Sequence, residues 1–287
     1  MTRILVTGAS GFIGGHLTSH LEVGCFNFTT FNERLTNDYQ LADYGKLDVI
    51  VHLAGLAHNK TSAEHEIFNV NFQSTIKLAN KSKDLGVGKF IFLSSIAVYG
   101  ISEGISINEQ TLPLPKTTFA ISKYQAELGL KALESPEFQV VIIRSPLVYG
   151  RGAPANFDLL LKLVSKLPFL PFGLVNNRRS YVAVSNLIDF ITHCIIHPNA
   201  GGETFLISDG IHVSTKDFTS AISKGINKKA LQLPIPLWLM QLTTKSIGKP
   251  EITKQLFGTL ELDCSKNKRL LGWSPPFTMA QAMKSLR

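Results

Sequence analysis

Three glycines near the start of the chain are spaced for one kind of chemistry. Gly8-Ala9-Ser10-Gly11-Phe12-Ile13-Gly14 follows the apolar run Ile4-Leu5-Val6 and opens a stretch with helical spacing. The N-terminus of a helix presents unpartnered backbone N–H groups and a positive dipole end, so it holds a diphosphate well, provided no Cβ keeps the phosphate away. Glycine meets that demand, and the last of the three also lets the helix pack closely on its strand. The spacing is GxxGxxG, a weak signal alone. Its place between a first strand and a first helix is the context that makes it a dinucleotide-binding loop. Gly8, Ser10, Gly11, Phe12, Ile13 and Gly14 are therefore the expected cofactor cradle. Which dinucleotide it takes stays open. A carboxylate about twenty residues on favours the free ribose hydroxyls of NAD, and a guanidinium favours the 2′-phosphate of NADP. Phe31-Asn32-Glu33-Arg34 offers both Glu33 and Arg34.

Such a loop needs a parallel sheet behind it. Short β-rich runs alternate with amphipathic stretches over the first two thirds of the chain, the pattern of βαβ units. Strands are expected at residues 3–7, 26–31, 47–53, 90–93, 140–143 and 204–207, and helices at 12–21, 69–85, 119–133 and 184–196. Two regions break the alternation: residues 151–177, rich in Pro, Leu and Phe, and everything after Ser208. Segments inserted in this way after sheet strands are expected to form a smaller substrate cap.

Composition limits the function classes. Of 287 residues, 44% are hydrophobic and 17% charged, enough apolar material for a core and no mark of disorder. The formal charge of +8 is scattered, and its densest clusters, Lys228-Lys229 and Lys266-Asn267-Lys268-Arg269, are short. No basic stripe with interleaved aromatics argues for nucleic acid, whereas a small polyanion suits a basic protein. Residues 159–175 carry Lys162, Ser165, Lys166, Pro168 and Pro171, so no membrane span is expected there. With Ile4-Leu5-Val6 so near the first residue given, no signal segment is expected before the first strand. Cys25, Cys194 and Cys264 are odd in number, widely spaced and without a CxxC pair, which predicts reduced core thiols in a cytoplasmic protein. His52, His58 and His65 show no metal-ligand spacing, so no metal is expected.

Four motifs in order, TGASGFIG, HLAG (His52 to Gly55), SSIAVYG (Ser94 to Gly100) and a helix bearing xxxSK, resemble the extended short-chain dehydrogenase/reductase family of NAD-dependent epimerase/dehydratase type. The resemblance spans nearly the whole chain. It implies an α/β fold: a Rossmann-type doubly wound parallel sheet over residues 1–150, joined by 178–208, with a smaller mixed α/β cap from 151–177 and 209–287. It also implies that Leu53, Ala54, Gly55, Asn71 and Pro146 line the cofactor, and that Lys123 anchors the nicotinamide ribose. In that family a Ser and a Tyr-x-x-x-Lys pair carry the chemistry. The Lys and the oxidised nicotinamide lower the Tyr pKa so that it shuttles a proton, and the Ser hydroxyl holds the reacting oxygen. Ser95 matches the Ser and Lys123 the Lys.

The position four before Lys123 is Phe119, which has the ring but no ionisable oxygen. Tyr124 does not replace it readily, being rotated by roughly 140° from Phe119 on an ideal helix. Tyr99 is expected to pack beneath the site. With Ser95 and Lys123 retained, local consistency favours an engineered Tyr→Phe trap over a natural member that has rerouted its acid. Either way activity should be badly impaired.

By the same resemblance Asn156 and Arg179 hold the substrate's diphosphate and nucleotide, an Arg fork suiting two phosphate oxygens. Arg178 is the weaker match. Asp263-Cys264-Ser265-Lys266 and Leu271-Gly272-Trp273 resemble a terminal structural signature, which puts Trp273 in the core. His58 is a further candidate to face substrate. The subgroup most resembled reduces the 4-keto group of a UDP-linked N-acetyl-deoxyhexose for surface polysaccharide, with NAD(P)H as donor. A UDP-sugar 4-epimerase is the alternative, and a non-catalytic dinucleotide-binding regulator the second. Oligomeric state is not readable from the sequence, although family members often pair through helices near 69–85 and 119–133, so the resemblance leaves a homodimer open.

Overall fold

The computed structural model describes residues 2–31, 41–56, 63–100, 106–240 and 256–287. In chain order its elements are β1 (Arg3–Thr7), α1 (Phe12–Val23), β2 (Asn27–Phe31), β3 (Val49–His52), α2 (Glu64–Phe68), α3 (Ser74–Asp84), β4 (Lys89–Ser95), β5 (Ser106–Ile107), α4 (Thr118–Leu133) and β6 (Gln139–Ser145). There follow β7 (Val148–Tyr149), α5 (Asn156–Lys166), β8 (Phe169–Leu170), β9 (Arg179–Ser180), β10 (Val182–Ala183), α6 (Val184–Ile196) and β11 (Thr204–Leu206). The rest comprises β12 (His212–Val213), α7 (Thr215–Gly225), β13 (Leu231–Gln232), β14 (Glu261–Leu262) and two short helices, Ser265–Leu271 and Met279–Lys284.

Six parallel strands form the main sheet in the order β11-β6-β4-β3-β1-β2. Both faces are covered, which is why the strands read as continuous apolar runs. Alternate side chains go to opposite sides. Ile4, Val6, Val49, Val51, Ile91, Val141 and Ile143 meet α1 and α6 on one face. Leu5, Ile50, Phe90, Phe92, Val140 and Ile142 meet α3 and α4 on the other. The chain leaves β1 for β2 on one side and returns to β3 on the other. That reversal opens a crevice at the C-terminal ends of β1 and β3, where open α/β sheets bind ligands.

A third core joins residues 149–183 to α7 and the last helix: Tyr149, Phe157, Tyr181, Phe218 and Met283 are all buried in it. Tyr181 stacks on Phe218 at 3.9 Å between ring centroids. Asn177 clasps this unit, donating to the carbonyls of Leu256 and Gly258 and accepting from the Thr215 N–H. Residues 265–273 instead pack on the sheet. Trp273 lies edge-on to Phe190 at 4.8 Å, with its indole N–H on Asp189.

Two expectations need correction. The helix expected at 69–85 begins earlier and is not uniform: α2 runs directly into a π-helical turn at Asn69–Gln73, and α3 follows. A π turn inserts one extra residue without a Pro or Gly to announce it, and such turns often mark functional sites. Cys25 is not a core thiol. It is exposed at positive φ in the turn after α1, while Cys194 is buried and Cys264 half-buried; all three are free.

Candidate active site

The phosphate loop fits an anion. Gly11 caps α1 with no side-chain hydrogen bond, and the first turn holds no acidic residue, so its amides are left for a ligand. Ser10 and Gly11 are exposed there. Two of the glycines are dictated by the protein itself. Gly8 sits at φ 73°, and a Cβ on it would lie 2.6 Å from the Ala54 nitrogen. A Cβ on Gly14 would overlap the Gly8 carbonyl, the close helix–strand packing the spacing predicts.

Behind the loop runs a directed chain of hydrogen bonds. The Thr75 hydroxyl donates to the Asn71 carbonyl (2.9 Å), so it accepts from His52 Nε2 (2.9 Å). The Nδ1 of His52 is then the acceptor for the Thr7 hydroxyl (2.7 Å), and Thr7 in turn accepts from the Ala54 N–H. His52 is completely buried. Burial first, and Lys123 second, push its pKa from 6.5 down to about 3, so it is a neutral strut between β1, β3 and the first turn of α3, whose Thr75 hydroxyl reaches back to the π turn.

That strut holds Asn71. Its Oδ1 accepts from the Leu56 N–H (2.8 Å), and its Nδ2 donates to the Leu56 carbonyl (3.0 Å) and to Ser122 (3.2 Å). Ser122 passes the contact to the Phe119 carbonyl (2.8 Å), tying the π turn to the first turn of α4. Asn71 is fully buried and grips the 53–56 loop rather than opening onto the crevice.

Lys123, one turn beyond Phe119, is buried. Its Nζ donates to the Leu93 carbonyl (3.0 Å) and lies 4.5 Å from the Phe92 ring centroid. Gly55 faces it: a Cβ there would come within 3.0 Å of Asn71 Oδ1 and 3.2 Å of Lys123 Nζ. Burial lowers the ammonium pKa from 10.5 to about 8, against the opposing pull of Glu127. Two residues along β4 from Leu93, Ser95 accepts from the Ala97 N–H (3.1 Å). Among the described residues no acceptor takes the proton of its hydroxyl. Ser95 pairs in register with Ser145, so Pro146 emerges beside it. Phe119 is half-buried at the start of α4.

The spacing of motifs gave no sign of what braces this cluster. Glu127, one turn past Lys123, receives the Arg144 guanidinium (2.5–3.1 Å) and the Ser94 hydroxyl (2.5 Å). Arg144 also donates to the Tyr99 hydroxyl (2.6 Å), and Tyr99 is buried beneath the site. An apolar-face acid four residues from a lysine, opposite a strand-end arginine, is the only trace of this network in the sequence.

Gly55, Asn71 and Lys123 thus converge, with Ser95 and Pro146 at the neighbouring strand ends and Leu53 and Ala54 on the loop against Gly8. Asn156, on α5, and Arg179, on β9, belong to elements outside this cluster. Asn156 is exposed at the first residue of α5. The half-buried Arg179 donates to the Gly258 carbonyl (2.7 Å). Arg178 pairs with Glu261 at the surface. Glu33, Arg34 and His58 lie outside the described residues. Among those described, no group of three His, Cys, Asp or Glu side chains converges as metal ligands would.

Comparison with known proteins agrees with this architecture. Over 98% of its length the chain is 37% identical to a UDP-glucose 4-epimerase of Vibrio cholerae, covering 93% of that protein. It is 26% identical, over the same share, to an N-acetyl-alpha-D-glucosaminyl-diphospho-ditrans,octacis-undecaprenol 4-epimerase of Escherichia coli O157:H7, again covering 93%. Its fold superposes on the UDP-glucuronic acid 4-epimerase of Bacillus cereus in complex with NAD with a TM-score of 0.79, at 22% identity over 99% of this chain and 94% of that one. RMD from Pseudomonas aeruginosa complexed with NADPH gives the same TM-score at 19% identity, covering 99% and 98%. Residues 4–208 match the model of one family, and on that match and the Vibrio relative the chain belongs to the NAD dependent epimerase/dehydratase family.

Proposed function

We propose that this chain interconverts configuration at carbon 4 of a UDP-linked hexose or N-acetylhexosamine, and that it does so poorly as long as residue 119 is Phe. The convergence of Lys123, Gly55 and the braced Asn71 beside the Ser95 strand end carries the reading. The amides at the α1 N-terminus would hold the diphosphate of a nicotinamide dinucleotide, which would supply hydride acceptance and return. Lys123 orients the ribose hydroxyls by its ammonium. Ser95 donates to the oxygen on carbon 4 as charge develops there. Asn71 acts as a positioning residue through the 53–56 loop. Asn156 and Arg179 take the diphosphate, and the cap encloses the sugar. The similarity to the Vibrio protein favours the epimerase over the 4-keto reductase that the motifs first suggest; the two share a half-reaction and the same groups.

Phe at 119 leaves that position without a proton carrier. A Tyr at 119 would stand one helical turn from Lys123, and a positioned acid–base group contributes about 10²–10⁴ in rate. Phe119→Tyr should therefore raise turnover of UDP-glucose or UDP-N-acetylglucosamine by that factor, read by sugar analysis of the products. Product formed without net change in nicotinamide redox state is the epimerase outcome. Stoichiometric NADH or NADPH consumption with a UDP-4-keto-hexose supports the reductase instead. An unchanged rate removes the role given to position 119.

A further inference from the structure

The cap has an outward face that the proposed chemistry does not use. β8 and β13 pair in parallel with Phe169 opposite Leu231, and both side chains point to solvent, 50% and 64% exposed. Leu167 precedes this ladder and Leu233 follows it; Gly173 is hydrogen-bonded to the Leu233 carbonyl, which brings the exposed Leu174 alongside. Trp238, five residues beyond Leu233, is 63% exposed. Chance scatters exposed apolar residues singly; Leu167, Phe169, Leu174, Leu231 and Leu233 gather along one ladder, with Trp238 following in sequence, and such a gathering marks an interaction surface.

Its charge is mostly positive. Residues 156–177 and 215–240, the two segments that build the face, carry Lys162, Lys166, Lys216, Lys224, Lys228 and Lys229 against Asp158 and Asp217. Among the described residues, Lys162 alone of the lysines at 162, 166, 224, 228 and 229 has a carboxylate ion-pair partner, Asp158 from the preceding turn. Lys228 reaches the Ser165 carbonyl, so the lysine pairs at 228–229 and at the end of α5 rim the Phe169–Leu231 ladder together.

We infer that this face docks on a bilayer surface rich in anionic phospholipid. Protruding Leu and Phe with a Trp among them suit the boundary between headgroups and acyl chains, and the lysine rim suits lipid phosphates. A second copy of the chain is a poor occupant, because a two-fold contact would set the lysine rim against itself. Attachment would be peripheral: among the described residues no helix is long and apolar enough to cross a membrane.

The test is flotation of the full chain with vesicles of phosphatidylcholine, with or without phosphatidylglycerol. Binding is expected with phosphatidylglycerol, weak without it, and reversed by salt. Trp238 reports directly, since Trp273 is buried: its emission should shift to the blue only when anionic vesicles are present. Lys228→Glu with Lys229→Glu, or Phe169→Ser with Leu231→Ser, should each weaken binding by about tenfold or more. Unchanged circular dichroism and dinucleotide affinity establish that these variants fold. The inference is overturned if the parent chain stays with the lipid-free fractions, if either variant pair floats like the parent, or if Trp238 emission does not move. It is equally overturned if light scattering finds dimers that Phe169→Ser with Leu231→Ser dissolves, for the face would then be a contact between copies.

Discussion

Lys123 shows how a single residue's surroundings set its use. An exposed lysine keeps its proton to pH 10.5, but this one is desolvated to about 8 and stays that high only because Glu127 lies one turn away. Below pH 8 the ammonium is present for the dinucleotide-anchoring role proposed for Lys123; above it the charge is lost. Dinucleotide affinity, followed by calorimetric titration, should therefore fall as pH rises through about 8, and Lys123→Met should flatten the profile. Glu127→Gln should move the inflection to lower pH, because the carboxylate opposing desolvation is gone. An inflection that stays put would mean Glu127 only braces Arg144. The brace itself matters for folding, since an unpaired buried guanidinium costs about 3–5 kcal/mol. For stability the sign runs the other way. Between pH 8 and 10.5 the unfolded chain holds a proton on this lysine that the folded chain has released, so its destabilising contribution is full below 8 and fades as pH rises.

Elements place these residues, and glycine shows where the placement is tight. Gly8 and Gly14 are boxed in by backbone, so Gly8→Ala and Gly14→Ala should each cost on the order of 4 kcal/mol or abolish folding. Gly15 is the contrast. Its Cβ would find the Ala9 oxygen at 3.8 Å, ordinary contact, so Gly15→Ala inside α1 should stabilise by about 0.5–1 kcal/mol. Urea unfolding of the three variants checks both signs, and equal effects at all three would refute the packing account. The spacing of the glycines announced this much because strand, turn and helix are consecutive in the chain. The strands were legible for a similar reason: Val140-Val141-Ile142-Ile143 can only be a segment buried on both faces. The π turn was not legible, because Asn69–Gln73 has ordinary helical composition and its bulge is imposed by what it grips, Leu56 and Ser122. Nor was the Glu127–Arg144 pair, which joins a helix to a strand and so follows no local period. The motifs named Ser95 and Lys123 as candidates, whereas the amide of Asn71 proved to be spent on the protein.

At the scale of the molecule the buried titrating groups decide how stability answers to pH, and His52 is the cleanest of them. It joins the three elements that make the crevice, and it works only as a neutral ring, because Nδ1 must accept from Thr7 while Nε2 donates to Thr75. Its folded pKa of about 3 lies below the unfolded 6.5, so between those values the unfolded chain takes up a proton that the folded chain refuses. Stability therefore falls as pH drops through 6.5 toward 3, and one such group contributes a slope of up to about 1.4 kcal/mol per pH unit. His52→Gln keeps a donor and an acceptor at the site but cannot take the proton. Urea unfolding of both proteins at intervals from pH 7 to 4 should then give curves that converge on acidification, the parent losing its lead by about one proton's worth of slope. Parallel curves would mean that His52 is free to protonate in the folded chain. The directed run of hydrogen bonds from Ala54 to the Asn71 carbonyl would then have to be abandoned as the element that sets the shape of the site.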